Sequence, residues 1–170
     1  NSNPRGLIAH FSGYVKRRLW RQAAEHEYGS GLGAGADLSV LHKHLRSLEG
    51  DLGARAMLCT VSCGGLWPQA RRHEAGMPIT SPICARCGEH PETLPHVFWG
   101  CRCNQDITDE AVRSSQHLCE RALSAAPVCA GFWLRGVVPK GWVSDDELAL
   151  EPPERRLDVV GNWVPGARDA

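Results

Sequence analysis

Four residues constrain this chain more than any others: Cys84, Cys87, His96 and Cys101, spaced Cys-x2-Cys-x8-His-x4-Cys. Zinc prefers four thiolate or imidazole ligands in a tetrahedron, and a Cys-x-x-Cys turn aims two sulfurs at one point. Gly88, directly after the second cysteine, suits the tight backbone turn that such a knuckle requires. His96 and Cys101 stand five residues apart, a little over one helical turn, so a short helix is expected to present both to the knuckle. Structural zinc binding releases about 10–16 kcal/mol in finger peptides, comparable to the whole stability of a small domain. Three sulfurs and one imidazole close the coordination shell, which speaks for structure over hydrolysis. Two alternatives stay open at this level. The cysteines are unmetallated and simply buried, or His90 replaces His96 or Cys103 replaces Cys101 as a ligand. The first swap leaves a cramped loop and the second lengthens the last spacing.

The remaining thiols carry weaker signals. Cys59 and Cys63 lie four apart on an expected helix, hence on one face. They are expected to be small buried hydrophobes, since beyond His73 no further ligand is near. Cys119 and Cys129 have no basic partner that would make either a nucleophile. The eight cysteines cluster by spacing, and nothing marks secretion, so a reduced, intracellular protein (nuclear or cytoplasmic) is expected. Residues 1–4 show neither an initiator Met nor a basic stretch leading into an apolar run, and the chain reads as an excerpt of a longer reading frame. No window approaches the roughly 18 apolar residues of a membrane helix, so no membrane partner is expected. With 19 basic and 19 acidic residues in 170, the formal charge is zero, which excludes a wholly basic nucleic-acid scaffold.

Periodicity predicts a mainly α fold, a small helical bundle with an embedded zinc knuckle and an irregular C-terminal segment. A first helix is expected over residues 14–28, with Val15, Leu19, Trp20 and Ala23 on one side and Lys16, Arg17, Arg18 and Arg21 on a solvated face. Gly29 stops it, and residues 29–35 read as a Gly-rich linker; no Gly-Lys-Ser/Thr ending makes it a phosphate loop. Asp37 is expected to cap a helix with Leu38, Leu41, Leu45 and Leu48 on one stripe, and Asp51 a third that ends at Gly64. A short helix over 69–75 follows Trp67-Pro68, and Gly76 ends it. Residues 79–83 are extended. Thr93 caps a helix from Leu94 to about Cys101, and Asp106 or Thr108 starts another that Pro127 ends. Loops follow Trp133, with at most one short strand over 157–160. The divisions expected are a helical segment over 1–64, a zinc-knuckle module over 65–104, a connecting helix over 105–135 and a tail over 136–170.

Cys84-x2-Cys87-Gly88, then Glu92-Thr93-Leu94, then His96-x-Phe98-x2-Cys101 resembles the zinc-binding region C-terminal to the polymerase in reverse transcriptases of non-LTR retrotransposons. The resemblance includes the Arg-x2-Ala-Gly lead of residues 72–76 and extends more loosely over 52–69. Residues 132–139 resemble the stretch that follows the finger in some of these elements. It implies Cys84, Cys87, His96 and Cys101 as ligands of Zn2+, in a segment that helps a larger reverse transcriptase polyprotein hold RNA or DNA. It does not extend to polymerase activity. The family's Tyr/Phe-x-Asp-Asp motif is missing: the only Asp-Asp pair, Asp145-Asp146, follows Val143-Ser144. Neither a ribonuclease H carboxylate set nor an endonuclease arrangement is present, so the chain is expected to be non-catalytic. Arg71, Arg72 and Arg86 flank the knuckle as expected phosphate contacts, and Trp99 is a candidate for base stacking against its more ordinary role in a core. The rival expectation is a zinc-stapled protein-interaction module that binds no nucleic acid.

Overall fold

The computed structural model describes residues 4–26, 28–78 and 81–142. Helices dominate, as the periodicity predicts, and among the described residues they are joined by a single two-stranded antiparallel sheet. None of these helices is long and apolar enough to cross a membrane. Residues 157–160, the Asp145-Asp146 pair, residues 79–80 and most of the expected tail lie outside the described residues.

Helix α1 (Pro4–Glu25) begins ten residues before the expected start. Pro at a first helical position is tolerated because its missing N–H has no partner there anyway. The helix ends three residues early because the chain doubles back: Gly29 N donates to His26 O at 2.8 Å, and a Cβ on Gly29 would overlap the Ala23 carbonyl. Helix α2 (Ser39–Ser47) follows Asp37, whose Oδ1 accepts from Ser39 N at 2.9 Å. Helix α3 (Leu52–Ser62) is capped as expected, with Asp51 Oδ1 accepting from Ala54 N at 2.9 Å. Helix α4 (Gln69–Glu74) closes at Gly76, whose φ of 72° is the left-handed conformation of a helix C-terminal glycine.

The expected long helix after the knuckle is instead two. Asp109, not Asp106 or Thr108, caps α5 (Glu110–Ser115), its Oδ1 accepting from Ala111 N at 2.9 Å. A 3-10 turn at Gln116–Leu118 then separates it from α6 (Cys119–Ala125). Ser114 and Ser115 return their hydroxyls to the Ala111 and Val112 carbonyls, a pattern that bends helices. Gln116 Nε2 reaches away to Asn104 O at 3.1 Å.

Burial concentrates in the second half of the chain. Tyr28, Leu94, Leu118, Ala122, Ala126 and Trp133 are buried together, with Phe98, Trp99 and Phe132 packed against them. Among the described residues α1 and α2 bury no side chain, and α3 buries only Ser62. The Leu stripe of α2 is therefore half-exposed. Cys59 and Cys63 are exposed, contrary to the expectation of buried thiols, because α3 lies at the edge of this core.

The Gly-rich stretch is more than a linker. Leu32 is fully enclosed, and Ser30 Oγ accepts from Ala130 N at 2.8 Å. That bond caps helix α7 (Ala130–Trp133) from a hundred residues away. Strand β1 (Ala36–Asp37) then pairs with β2 (Val138–Pro139), Ala36 opposite Pro139. Two-residue strands carry no alternation, and the sequence expectation of loops after Trp133 passed over them.

An alanine normally favours a helix by about 1 kcal/mol over glycine. At Gly131 the sign reverses, because a Cβ would stand 2.5 Å from Leu32 Cγ and no more than 2.9 Å from its methyl carbons, and Leu32 has no room to yield. Gly131→Ala is expected to destabilise the fold by about 1–3 kcal/mol, read as a lower midpoint in urea denaturation.

Candidate metal centre

The first two cysteines sit at the tip of a short hairpin. Ile83 and Pro91 form an antiparallel bridge, Cys84 N donates to His90 O at 2.8 Å, and Glu92 N donates to Pro82 O at 2.8 Å. Between them the chain folds tightly, Gly88 N donating to Cys84 O at 2.8 Å. Gly88 takes a φ of 69°, with open space around its Cα, so the left-handed backbone and not crowding calls for glycine. Backbone N–H groups of Glu89 and His90 point at the Cys87 sulfur and lower its pKa, a pattern that favours the thiolate a metal needs.

The other two donors come from a π-helical turn, His96–Gly100. The expected α-helix would leave positions five apart about 140° out of phase. Instead Cys101 N donates to His96 O at 2.7 Å, an i to i+5 bond, and this wider turn brings donor residues spaced by five to one side. Thr93 supports the start as expected, its Oγ1 accepting from His96 N at 3.3 Å.

The Cys84, Cys87 and Cys101 sulfurs and a His96 ring nitrogen all lie within 4.8 Å of one another. The three cysteines are buried and His96 is half-buried. A tetrahedral ion with bonds of about 2.3 Å to sulfur and 2.0–2.1 Å to nitrogen places sulfur and nitrogen about 3.6 Å apart. Cys87 Sγ and His96 Nε2 stand 3.4 Å apart, close to that spacing. The cluster can therefore hold a metal ion, and its four protein donors leave no ligand position for water. His90 and Cys103 lie outside it. The His90 ring is tilted against His96 with centroids 5.8 Å apart, and Cys103 Sγ donates to Arg86 O at 3.3 Å.

Asn104, which carried no sequence signal, is the main brace of this centre. Its Nδ2 donates to Val97 O at 3.2 Å and Phe98 O at 3.1 Å, two carbonyls stranded at the end of the π turn. Arg86 completes the brace: Nη1 donates to Asn104 Oδ1 at 2.9 Å and Nη2 to Val97 O at 2.9 Å. A second tie joins α4 to the hairpin, Glu92 Oε1 accepting from Gln69 N at 3.0 Å where Pro68 offers no cap. Arg102 reaches Glu89 at 2.7 Å, an exposed pair of small energetic weight.

The four residues expected to contact nucleic acid are not brought to one surface. Arg86 is engaged as described. Arg71 is half-buried, its guanidinium 4.6 Å from the Trp67 ring centre and 5.5 Å from that of Tyr28. Trp99 donates through Nε1 to Trp133 O at 2.9 Å and meets that ring edge-on, the core role. Arg72 alone of the four is exposed without a side-chain hydrogen bond or ion pair to the described residues. Cys129 is buried, and burial raises its pKa, which fits an inert thiol.

No protein-family model matches the chain, and neither a curated protein nor a solved structure matches it.

Two outcomes follow from this geometry. Asn104→Ala leaves the Phe98 carbonyl without a partner and removes one of two hydrogen bonds each from the Val97 carbonyl and the Arg86 guanidinium, at about 1–3 kcal/mol in all, so the metal-loaded protein should surrender its ion to a chelator several-fold faster. Burial pushes the Cys101 thiol up to about 11, so metal entry at neutral pH must expel that proton. Burial, with the neighbouring His90 and Arg86 charges, lowers the His96 pKa, which favours the neutral imidazole a metal needs. Apparent metal affinity should therefore rise with pH as the thiols give up their protons, as chelator competition would show.

Proposed function

We propose that the metal is Zn2+ and that the chain is a non-catalytic accessory module of a retrotransposon reverse transcriptase that helps hold RNA or DNA. The observation carrying the metal assignment is the closed shell of three thiols and one imidazole, a donor set suited to structural zinc and lacking the open position that hydrolysis needs. The order and spacing of these ligands, with Glu92-Thr93-Leu94 between them, support the reverse-transcriptase reading. Zinc would join the hairpin to the π turn, and the braced hairpin in turn positions α4. Exposed Arg72 on α4 and the exposed cations Lys16, Arg17, Arg18 and Arg21 on α1 supply candidate phosphate contacts.

A second reading, a protein-interaction module, draws on one observation. Arg71, Arg86 and Trp99 are held by other parts of the protein, whereas α1 exposes Ile8, Phe11, Val15 and Leu19. Salt titration separates the two. The zinc-loaded chain should bind single-stranded RNA or DNA with a log-log salt slope of several charges, and Arg72→Ala should reduce that slope by about one. Arg86→Ala should weaken zinc retention before it changes the slope. Absence of binding to either nucleic acid at low salt would leave the interaction module. Elemental analysis should find one zinc per chain, and a folded, metal-free chain would overturn the metal assignment.

A further inference from the structure

Helix α3 is exposed along a face that lacks the charges such a face usually carries. Arg55 is the only charged residue among its eleven, and Leu52 and Met57 are 78% and 58% exposed. Leu52, Ala56, Cys59 and Cys63 are all exposed and recur at spacings of four, three and four. At about 100° per residue they share a stripe about 60° wide, bordered by Arg55 and Thr60. Two of the four are thiols, and neither belongs to the knuckle.

The helix holds these thiols as a pair. Cys63 N donates to Cys59 O at 2.9 Å, so the helical repeat runs unbroken from one to the other. Residues four apart on a helix place their Cβ atoms about 5–6 Å from each other. A disulfide needs about 3.5–4.5 Å, so the pair cannot close on itself while the helix stands. A metal ion demands less. Two ligands of a tetrahedral zinc with bonds of about 2.3 Å stand roughly 3.8 Å apart, within reach of sulfurs leaning inward from those Cβ atoms.

Two sulfurs fill half of a tetrahedral shell. Among the described residues the one cluster of three or more metal-ligating side chains is the Cys84 group, so His73 does not join the pair. The same two thiols from a second copy complete the shell about a twofold axis, the commonest symmetry of protein oligomers. Opposite edges of a tetrahedron are perpendicular, so the two helices cross steeply and touch only around the thiols. Four thiolates on Zn2+ leave two net negative charges, and Arg135 is placed to balance them. Its Nε donates to Ser62 O at 2.9 Å and its Nη1 to Tyr28 O at 3.4 Å, which holds the guanidinium beside the end of α3. Burial lowers the Arg135 pKa, and the charge of neighbouring Cys63 opposes that shift. One Arg135 from each copy makes the assembly neutral.

We infer that Cys59 and Cys63 form a half-site for Zn2+ that joins two copies of this chain through a shared four-sulfur centre. The exposed stripe of α3 is the surface at which the copies meet. This site is separate from the knuckle and independent of nucleic-acid binding.

Zinc titration of the full metal-loaded chain, kept reduced, tests this by sedimentation and elemental analysis together. Added Zn2+ should convert monomer to dimer while the zinc content rises by about half an equivalent per chain. Cys59→Ser/Cys63→Ser changes only exposed side chains. It should keep the knuckle zinc, stay monomeric and take up none of the added ion. Cys63→Ser alone should weaken zinc-dependent dimerisation several-fold. A wild-type chain that stays monomeric and gains no zinc overturns the inference. So does a full extra equivalent bound by the monomer, or a dimer that survives in the double serine variant. A dimer that forms only when reductant is omitted would make the link a disulfide, and that result overturns it too.

Discussion

Everything at the centre of this molecule depends on three thiols and an imidazole converging from two pieces of chain that cannot hold themselves. The hairpin bearing Cys84 and Cys87 has one bridge, Ile83 to Pro91, and a few backbone hydrogen bonds. The segment bearing His96 and Cys101 is a five-residue π turn, far below the roughly 12–15 residues at which an isolated helix becomes marginally stable. Neither is closed by apolar packing of its own: the buried group here consists of Cys84, Cys87 and Cys101, with Cys103 against it. An ion at their meeting point would supply cohesion that the side chains alone do not. Asn104 and Arg86 then lock the geometry by occupying the carbonyls that the π turn strands.

The same five residues serve the larger core. His96 faces the cysteines, while Phe98 and Trp99 pack with Trp133 and the surrounding cluster. Leu94, just before the turn, is buried in that cluster as well. Metal site and apolar core are thus two sides of one short segment, and disturbance of either is transmitted directly to the other. This double duty explains why Trp99 is not a free stacking platform: its indole N–H is spent on Trp133 O, which fixes the ring edge-on to its neighbour. A buried indole without that partner would carry an unsatisfied donor.

Local chemistry was the legible part of this sequence. Asp51 and Gly76 mark helix ends through hydrogen bonds or dihedral preferences that their own side chains, or lack of one, dictate. The donor spacing was legible for the same reason, since a Cys-x-x-Cys turn is a local geometry. What stayed hidden depends on distant partners. Ser30 as the cap of α7, Glu92 as the cap of α4, and Asn104 beneath the π turn are ordinary polar residues until the fold places them. The pairing of Ala36–Asp37 with Val138–Pro139 joins strands too short for any period. Cys59 and Cys63 misled for a related reason: four-residue spacing places them on one face without saying whether anything covers it.

The glycines show how far apart local and distant causes lie. Gly88 is required by its own dihedral, with nothing nearby to crowd a side chain, so its place after Cys87 already announces a turn. Gly131 is required by Leu32, ninety-nine positions away in sequence, in a helix where alanine would otherwise be preferred. The stretch 29–35 looks like a flexible connection because its composition is that of one. It is instead held by Ser30 and Gly131, with Gly131 N donating to Ser30 O at 3.0 Å and Leu32 filling the space that glycine leaves. Its glycines make close approach possible, and close approach lets a thinly aromatic chain bury Leu32 completely. The exposed apolar side chains of α1 find no such cover among the described residues.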